Sequence, residues 1–445
     1  METRSIKRLR QRQGSDNKKT NLMDVDNDNL VDIFSKLPSK SLIQLGCMSK
    51  TLSNIVSCPY FVKQHMHFLT ATNAASEVPR LMVVAQSKNR YAGELTVLQS
   101  LQYDGTSLEK SRHTIVSKVI FRRQNYSFDL EFLFCNLICL KDSNYGYGRR
   151  CLLLNPLKAE AVILPVDNTI RPDVPANPIS KSYEYWYGMG FDNANNKYKI
   201  IRVFGYKFGY DFGYTGYKYL VSHVHELGTS SWREIDSVPP RKITDKKVSA
   251  YGDMHWLTTH SRRVREDIFF YISILTFDFN KEKFCWNIPV PPSSRGPRNF
   301  PPVERFQLIN LKGSLSLIDA SSDKYLEIWM LNNYDEKEWI FSYRIDGSAF
   351  IAACPYRSFR FWTCGEWEHG IFFKKSDCTT LDVIFLDLRS ASINCVECPV
   401  SKRGLHTSVL SYTGGLISLR SYGNLVEPKT GSRDLNAFSN LWKFD

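Results

Sequence analysis

The sequence predicts an α+β protein of several domains, in which a short module of three helices precedes a large all-β domain. Residues 23–67 combine an apolar helical period with helix-capping residues. From Arg80 onward the apolar stretches are short, rich in β-branched and aromatic residues, and separated by Gly, Asn, Asp and Pro. A weak repeat of about 45–60 residues indicates how the predicted strands are grouped.

Composition limits the class of protein. The 445 residues are enough for one large domain beside the helical module, and the longest apolar stretch is interrupted by polar residues, so no membrane span is predicted. Eleven cysteines without paired spacing favour reduced thiols, which predicts a location in the cytoplasm, the nucleus or both. The first residues also lack the apolar core of a secretory signal.

Positive charge is concentrated at the start of the chain. The formal net charge is +13, and residues 1–22 are rich in Lys and Arg, so they are predicted to form a disordered basic tail. Such a tail can act as a nuclear-import signal or a weak nucleic-acid contact. A solvated tail is the favoured interpretation, and nucleic acid is the less favoured partner, because basic charge alone gives only sequence-independent affinity.

Three short helices are predicted in the N-terminal module. Pro38 ends the first, Ser39 or Ser41 caps the second, and Ser49 caps the third, which ends before Pro59. The apolar positions are Leu30, Ile33, Phe34 and Leu37 in the first helix, Leu42 and Leu45 in the second, and Leu52, Ile55 and Val56 in the third. About 40 residues give too little core for comfortable independent stability, so the module needs a partner or a neighbouring domain.

The module resembles the F-box of plant proteins. The matching segments are Leu30–Pro38, Lys40–Leu42, Cys47–Lys50 and Pro59–Phe61, within a domain predicted to span 23–67. The resemblance implies binding to the Skp-type adaptor of a cullin-RING (SCF) ubiquitin ligase. Carried over by position, the adaptor-facing residues are Leu30, Ile33, Leu37, Pro38, Leu42, Cys47, Met48 and Leu52.

The module departs from the usual plant pattern at three places. Val25 and Asp26 stand where Leu-Pro is expected, Asn29 replaces a Leu, and Leu52 replaces a Trp. A Trp buries more area than a Leu, and aromatic anchors dominate many interfaces. These departures therefore bear on the strength of adaptor binding.

The all-β region contains a weak internal repeat in which a polar or Gly-containing turn precedes a short apolar strand. The repeats start at Asn136, Gly252, Gly313, His369 and Gly415, and one gap is about double the others, as expected for a divergent unit. Most are followed by a hairpin with a Pro-containing turn or a Trp-plus-aliphatic segment. This pattern predicts a β-propeller of about six blades, with seven as the alternative, whose final strand near 416–419 completes the first blade.

The β region also resembles the F-box-associated and kelch-like domains of plant F-box proteins, a group that includes self-incompatibility and defence-related members. The matching phrases occur in the family's order at 155–165, 188–202, 224–233, 252–257, 277–291 and 308–317. The predicted propeller spans 80–426, with a linker at 68–79 and a C-terminal tail at 427–445. Its Trp and Leu residues are predicted to form the core between blades.

Target binding is predicted on loops that interrupt the repeat. The clearest is 204–219, where Gly and Tyr alternate with Phe and Lys. An aromatic capture surface and a flexible insertion or twisted hairpin without a partner are equally weighted interpretations. The candidate target-binding residues are Tyr206, Phe208, Tyr210, Phe212, Tyr214 and Tyr217. Further candidate loops are 168–181, 291–302 and the Arg-rich 260–266.

No cofactor, metal or catalytic site is predicted. The chain lacks the usual hydrolase, metalloprotease and nucleotide-binding motifs, and the lone C-x-x-C at Cys395 and Cys398 lacks a second ligand pair. The resemblance therefore implies a non-catalytic substrate receptor of an SCF ligase, acting on an unidentified target protein. A propeller enzyme, a binding scaffold not linked to ubiquitination and a nucleic-acid-associated scaffold remain as alternatives.

Overall fold

A computed structural model shows a six-bladed β-propeller that carries a small helical module. It describes residues 27–58, 60–62, 64–65, 80–87, 94–110, 117–121, 128–142, 151–158, 160–165, 183–208, 216–241, 243–264, 267–292, 305–322, 324–347, 362–376, 381–399 and 405–422. The predicted tails at 1–22 and 427–445, the predicted linker at 68–79, and Val25 and Asp26 lie outside these residues.

The helical module contains α1 (Asn27–Ser35), α2 (Ser39–Met48) and α3 (Lys50–Ser57), followed by helical residues at 60–62 and 64–65. The predicted cap of α3 is confirmed, because Ser49 Oγ accepts a hydrogen bond from Thr51 N at 3.2 Å. The predicted cap of α2 is wrong. Pro38 occupies the N-cap position in an extended conformation, so Ser39 already lies inside the helix and its hydroxyl donates to Gly414 O at 3.4 Å.

The strands of the propeller follow in chain order. They are β1 Arg80–Ser87, β2 Glu94–Tyr103, β3 Leu108–Lys110, β4 Ser117–Phe121, β5 Phe128–Phe134, β6 Leu137–Asp142, β7 Cys151–Asn155, β8 Glu160–Ile163, β9 Tyr183–Asp192, β10 Lys197–Phe208, β11 Gly216–Glu226, β12 Arg233–Ile235, β13 Ile243–Ala250, β14 Asp253–Val264, β15 Asp267–Asp278, β16 Lys283–Ile288, β17 Phe306–Leu311, β18 Ser314–Asp319, β19 Tyr325–Asn333, β20 Glu338–Asp346, β21 Trp362–Trp367, β22 Gly370–Ser376, β23 Leu381–Asp387, β24 Ile393–Glu397 and β25 Leu405–Tyr412. The second to sixth blades are the antiparallel sheets β5–β8, β9–β12, β13–β16, β17–β20 and β21–β24.

The first blade joins the two ends of the propeller sequence. The pairing of β25 with β1 runs from Arg80 opposite Tyr412 to Ser87 opposite Leu405. Six blades are therefore confirmed, but the predicted closing strand at 416–419 is wrong. The Gly414–Gly415 turn that was interpreted as its start instead follows the closing strand β25, and the chain then continues to a 3-10 helix at Leu419–Tyr422.

The sequence repeat corresponds to the hairpin between the first and second strands of a blade. In three blades both residues of this turn have positive φ, namely Cys135–Asn136, Tyr251–Gly252 and Lys312–Gly313. Such turns match the twist of the flanking strands. The doubled gap in the repeat is the third blade, where the longer turn 193–196 joins β9 to β10.

Trp side chains link neighbouring blades, as expected of core residues. Trp186 and Trp256 are buried. Trp232 in the third blade donates its indole N–H to Pro165 O at 2.7 Å, and Trp339 in the fifth blade donates to Pro289 O at 2.6 Å. In both cases the Pro follows the outer strand of the preceding blade. The recurrent Pro turns and Trp segments of the sequence are therefore two halves of one inter-blade contact.

A buried ion cluster joins the third and fourth blades. Lys199 Nζ lies 2.6 Å from Asp192 Oδ2 and 2.7 Å from Glu282 Oε1, and Arg233 also binds Glu282. Burial alone would lower the pKa of Lys199, but its bonds to both carboxylates raise it. Conversely, burial raises the pKa of Asp192, but hydrogen bonds from Lys199 and Asn195 hold it below its usual value. The cluster is charged at neutral pH.

We predict that Lys199→Met lowers the free energy of unfolding by about 3–5 kcal/mol, because it leaves the buried Asp192 carboxylate without its cation, whereas Glu282 keeps its bonds to Arg233. The matched control is Lys197→Met on the same face of β10. Lys197 pairs with Glu226 at a site where its side chain is 48% exposed, so we expect a loss of about 0–1 kcal/mol. Urea unfolding measures both, and equal losses would contradict the assignment.

Candidate partner-binding surfaces

The helical module exposes apolar side chains on its outer surface. Ile33 is 47% exposed, Met48 is 76% exposed and Tyr60 is 57% exposed. Cys47 is exposed beside Met48 at the end of α2, and Leu37 is half-buried at the end of α1. When several large apolar side chains are exposed together on one small element, they are typical of a surface that binds another protein.

The inner surface of the module is part of a large apolar core. Leu30, Leu42 and Leu52 are at most 3% exposed. They share a cluster with Phe34, Val56, Phe61 and Val62 of the module and with apolar residues of the second and third blades. The module, whose own core is too small for independent stability, is therefore stabilised by sharing a core with the propeller.

His65 fixes the last turn of the module to the end of α1. Its Nε2 donates to Leu37 O at 2.8 Å, and its ring stacks on Phe61 at 6.0 Å between centroids. Burial lowers the pKa of His65, and the bond to Leu37 opposes this effect only in part. The neutral ring is thus the form that holds this end of α1.

Residues 413–422, which we term the C-terminal strap, bind to the second blade through buried polar groups. Asn155 Nδ2 donates to Gly415 O at 2.9 Å and to Ile417 O at 2.7 Å. Glu160 accepts hydrogen bonds from Leu419 N and from the Ser418 hydroxyl. These bonds satisfy backbone groups that would otherwise be buried without partners.

The strap is also bound at its start by Asn136. Its side-chain amide donates to Gly414 O at 2.9 Å, and its carbonyl accepts from Thr413 N at 2.9 Å. The apolar side of the strap, Leu416, Ile417 and Leu419, lies in the same buried cluster as the helical module. With the Ser39 bond to Gly414, the strap therefore lies between the second blade and the helices and holds the module in one orientation.

The predicted aromatic loop 204–219 is for the most part a long hairpin. Tyr206 and Phe208 lie in β10, and Tyr217 lies in β11, opposite Lys207 in the strand register. A bulge follows Tyr206, as expected for a strongly twisted, Gly-containing strand. Of the other candidate target-binding residues, Tyr210, Phe212 and Tyr214 lie outside the described residues. The target-binding role of all six remains a prediction.

The other candidate target-binding loops provide fewer structural observations. The range 168–181 and most of 291–302 lie outside the described residues. The Arg-rich range 260–266 is not an ordinary turn, because β14 extends to Val264 and β15 begins at Asp267, and these two residues are paired. Arg262 and Arg263 are therefore strand residues.

The described residues contain no group of three or more His, Cys, Asp or Glu side chains arranged to hold a metal ion. Among their acids, Asp253 accepts bonds from Phe279 N and the Tyr334 hydroxyl, and burial raises its pKa to about 6. Nearby, burial lowers the pKa of His255 to about 4 while its two nitrogens bind Thr276 and Ala250. Both groups have structural partners within the fourth and fifth blades. No helix in the described part of the chain is long and apolar enough to span a membrane.

Comparison with models of protein families shows to which family this chain belongs. Residues 80–409 match the model of the F-box associated β-propeller domain. The chain belongs to this F-box-associated propeller family. The match covers the described propeller from β1 into β25, the strand that closes the first blade.

Curated relatives are plant F-box proteins. The Arabidopsis thaliana F-box protein At2g15640 is 28% identical over 71% of this chain and 68% of its own length. F-box protein At1g47340 from the same organism is 23% identical over 73% of this chain and 64% of its own length. F-box protein CPR1, also from this organism, is 24% identical over 71% of this chain and 70% of its own length. The chain thus spans about two thirds of the length of these relatives. A solved ulvan lyase, a polysaccharide lyase, aligns at 10% identity over 76% of each chain with a TM-score of 0.31, too low to bear on function.

The structure divides the eight predicted adaptor-facing residues of the F-box into two groups. Ile33, Cys47 and Met48 are exposed, and Leu37 and Pro38 are half-buried, so these five can contact a partner directly. Leu30, Leu42 and Leu52 are buried and support the surface from within. Leu52, which replaces the usual Trp, fills a position in the module's own core.

Sequence reasoning missed the residues that hold the strap. Asn136 and Asn155 start two of the repeated phrases, where we interpreted them as turn and scaffold residues, and Glu160 carried no signal. A polar residue that recurs inside an apolar phrase is a clue to a buried hydrogen bond, because unpaired burial is costly. Its partner, 260–278 residues away, could not be identified from the sequence.

We predict that Asn155→Ala loosens the strap, because Gly415 O and Ile417 O lose buried donors at about 1–3 kcal/mol for each unsatisfied group. Hydrogen exchange of the 413–419 amides should rise while exchange in the sixth blade stays constant. Asn394→Ala is the matched control: this exposed amide donates to Gly105 O at 3.0 Å and so links the sixth blade to the first blade rather than to the strap. Equal strap exchange in both variants would contradict the role of Asn155.

We also predict that the F-box loosens in mild acid. The pKa of His65 is lower in the folded chain than in the unfolded chain, so the neutral ring stabilises the module above pH 6.5 and this contribution falls as the pH drops below 6.5. Hydrogen exchange of residues 27–58, corrected for intrinsic rates, should rise between pH 7 and pH 5.5. His65→Gln should remove this pH dependence, and a dependence that survives the substitution would argue against His65.

Proposed function

We propose that this chain is the substrate-recognition subunit of an SCF-type, cullin-RING ubiquitin ligase. The F-box binds a Skp-type adaptor, the propeller binds a target protein, and the outcome is ubiquitination and degradation of that target. One observation carries the proposal: in a member of the F-box-associated family, the helices that match the F-box keep apolar side chains exposed on one side while the other side packs on the propeller.

The exposed residues define the proposed adaptor interface. Burying Ile33 and Met48 contributes about 1.5–3 kcal/mol each, against an association cost of about 4–15 kcal/mol. Two side chains therefore do not suffice, and the half-buried Leu37 and Pro38 together with Cys47 must take part. Because Leu52 is 3% exposed, the Leu that replaces the family's Trp affects adaptor binding through the shape of the module.

The proposed role requires geometry and no catalytic residue in this chain. A receptor accelerates transfer of ubiquitin by holding the target's lysines near a charged carrier enzyme, which is a proximity effect. Such an effect requires that the target-binding and adaptor-binding surfaces keep a fixed relative position. The C-terminal strap supports this requirement, because Asn155 and Glu160 bind it to the propeller, Ser39 of the F-box donates to Gly414 O, and Leu416 and Ile417 share a buried cluster with the F-box residues.

We propose the cytoplasm, the nucleus or both as the place of action. Cys47 and Cys58 are exposed free thiols. Exposed thiols are characteristic of reducing compartments.

We predict that the double variant Ile33→Asp, Met48→Asp lowers recovery of a recombinant Skp-type adaptor in a pull-down by more than about tenfold. Each carboxylate would have to be buried unpaired in the interface. The free-energy cost of this burial exceeds about 1.4 kcal/mol, the amount that weakens the binding constant tenfold. Because both positions are exposed, the variant should unfold at the wild-type temperature.

The matched control is Phe341→Asp, which changes an apolar residue of the fifth blade with an exposure similar to that of Ile33, 45% against 47%, and should leave adaptor recovery unchanged. Deletion of residues 23–67 gives the baseline. Recovery of the adaptor by the double variant at the wild-type level would reject the proposed interface, and no recovery by the wild-type chain would reject the ligase role.

A further inference from the structure

The outer strand of the fifth blade differs from the outer strands of the other blades. β20 has nine residues, whereas β3, β8, β12, β16 and β24 have between three and six. Edge strands are usually kept short or interrupted by Pro and Lys, because their free N–H and C=O groups can pair with another chain. β20 contains neither Pro nor Lys, and within the described residues it pairs only with β19.

β20 also exposes apolar side chains on both of its faces. The consecutive residues Ile340 and Phe341 are 41% and 45% exposed. Consecutive side chains on a strand point to opposite faces, so neither face of this edge is covered at that point. A long edge strand that exposes apolar side chains on both faces is a template for strand addition.

The face that carries Phe341 is held rigid by its neighbours. Its ring packs edge-on against Trp329 at 5.2 Å, and the Arg344 guanidinium lies over Phe341 at 5.2 Å and over Tyr325 at 4.6 Å. Arg344 is fixed in turn by Glu327, which is 7% exposed and accepts its Nη2–H at 2.7 Å. Trp, Tyr and Arg dominate binding energy at interfaces, and groups that are already ordered lose less entropy on binding.

Charge at one end of β20 indicates the chemistry of the partner. The residues before and at the start of the strand include three exposed carboxylates, Asp335, Glu336 and Glu338. The one cation among them, Lys337, bonds to Tyr334 O and lies 3.8 Å from the Tyr334 ring. On a chain of net charge +13, this end is locally acidic.

From these observations we infer that β20 is a docking edge for an extended segment of a target protein, which adds as an antiparallel strand. The segment has apolar residues that cover Ile340 and Phe341. Because the strands are antiparallel, its C-terminal end meets the acidic start of β20, so that end carries Lys or Arg. That the protein containing this segment is a ubiquitination target rests on the proposed function. The binding of such a segment to β20 does not depend on that function.

A second copy of this chain fits the edge less well. Two-fold antiparallel pairing of β20 centred on Ser342 places Glu338 opposite Asp346 of the other copy, and does so twice. Like charges directly opposite one another destabilise a strand pair. A segment with Lys or Arg at its C-terminal end replaces the repulsion at the Glu338 end by attraction.

Direct binding tests this inference without any ligase component. The probe is a fluorescein-labelled peptide, Thr-Val-Val-Ile-Val-Thr-Lys-Lys, which has apolar residues on both faces of a strand; it is titrated with the full chain and followed by anisotropy. We expect saturable binding that Ile340→Asp, Phe341→Asp weakens more than about tenfold. The control Val238→Asp alters an apolar residue of the same exposure, 41%, outside β20, and should leave binding unchanged.

Two further arms test the mode of binding. A peptide with Pro at the Ile position should not bind, because Pro cannot complete the strand hydrogen bonds. Glu336→Lys, Glu338→Lys should reverse the preference between peptides ending in Lys-Lys and Glu-Glu, and it does so without removing any apolar contact.

Three outcomes would overturn the inference: no saturable binding, equal loss in Val238→Asp, or equal binding of the Pro peptide. Sedimentation gives a fourth, since a dimer that dissociates on Phe341→Asp would assign the edge to a second copy. These outcomes are separate from failure of the proposed function, because adaptor recovery depends on Ile33 and Met48 and not on β20.

Discussion

The pairing of β25 with β1 is the constraint on which the rest of the structure depends. It joins Leu405–Tyr412 to Arg80–Ser87 and closes the ring, so every blade gains a neighbour on both sides. Closing so long a loop has an entropic cost that grows only slowly with length, and the buried contacts between blades offset it. The same pairing determines where the chain goes next, because the residues after Tyr412 emerge beside the second blade.

The position of the helical module is related to this closure. The strap can reach Asn136, Asn155 and Glu160 because β25 ends beside them, and the strap in turn accepts a hydrogen bond from Ser39 and shares a buried apolar cluster with the helices. Residues from three distant parts of the sequence therefore form one joint. In this joint, buried hydrogen bonds and a shared apolar core couple the orientation of the propeller to that of the helical module.

The sequence predicted the features that depend on neighbouring residues and missed those that depend on distant ones. The turn–strand repeat, the number of blades and the cap at Ser49 follow from local backbone preferences, and the structure confirms each of them. The closing strand was placed about ten residues too late, because a Gly-Gly turn looks the same before a strand and after one. The role of Ser39 was missed for a related reason: its hydroxyl donates to Gly414, 375 residues away.

For the candidate binding surfaces, too, the sequence did not show which apolar residues are buried and which are exposed. Apolar periodicity identified Leu30, Ile33 and Phe34 as one helix face, yet the structure buries the first and third against the propeller core and leaves Ile33 in water. A helix between a domain and a partner needs apolar residues on both sides, and a period of 3.6 residues does not tell the two sides apart. The same holds for β20, where one continuous strand contains the buried Ile345 and the exposed Ile340 and Phe341. Exposure in the folded chain, and not hydrophobicity in the sequence, therefore distinguishes a surface that binds partners from one that stabilises the fold.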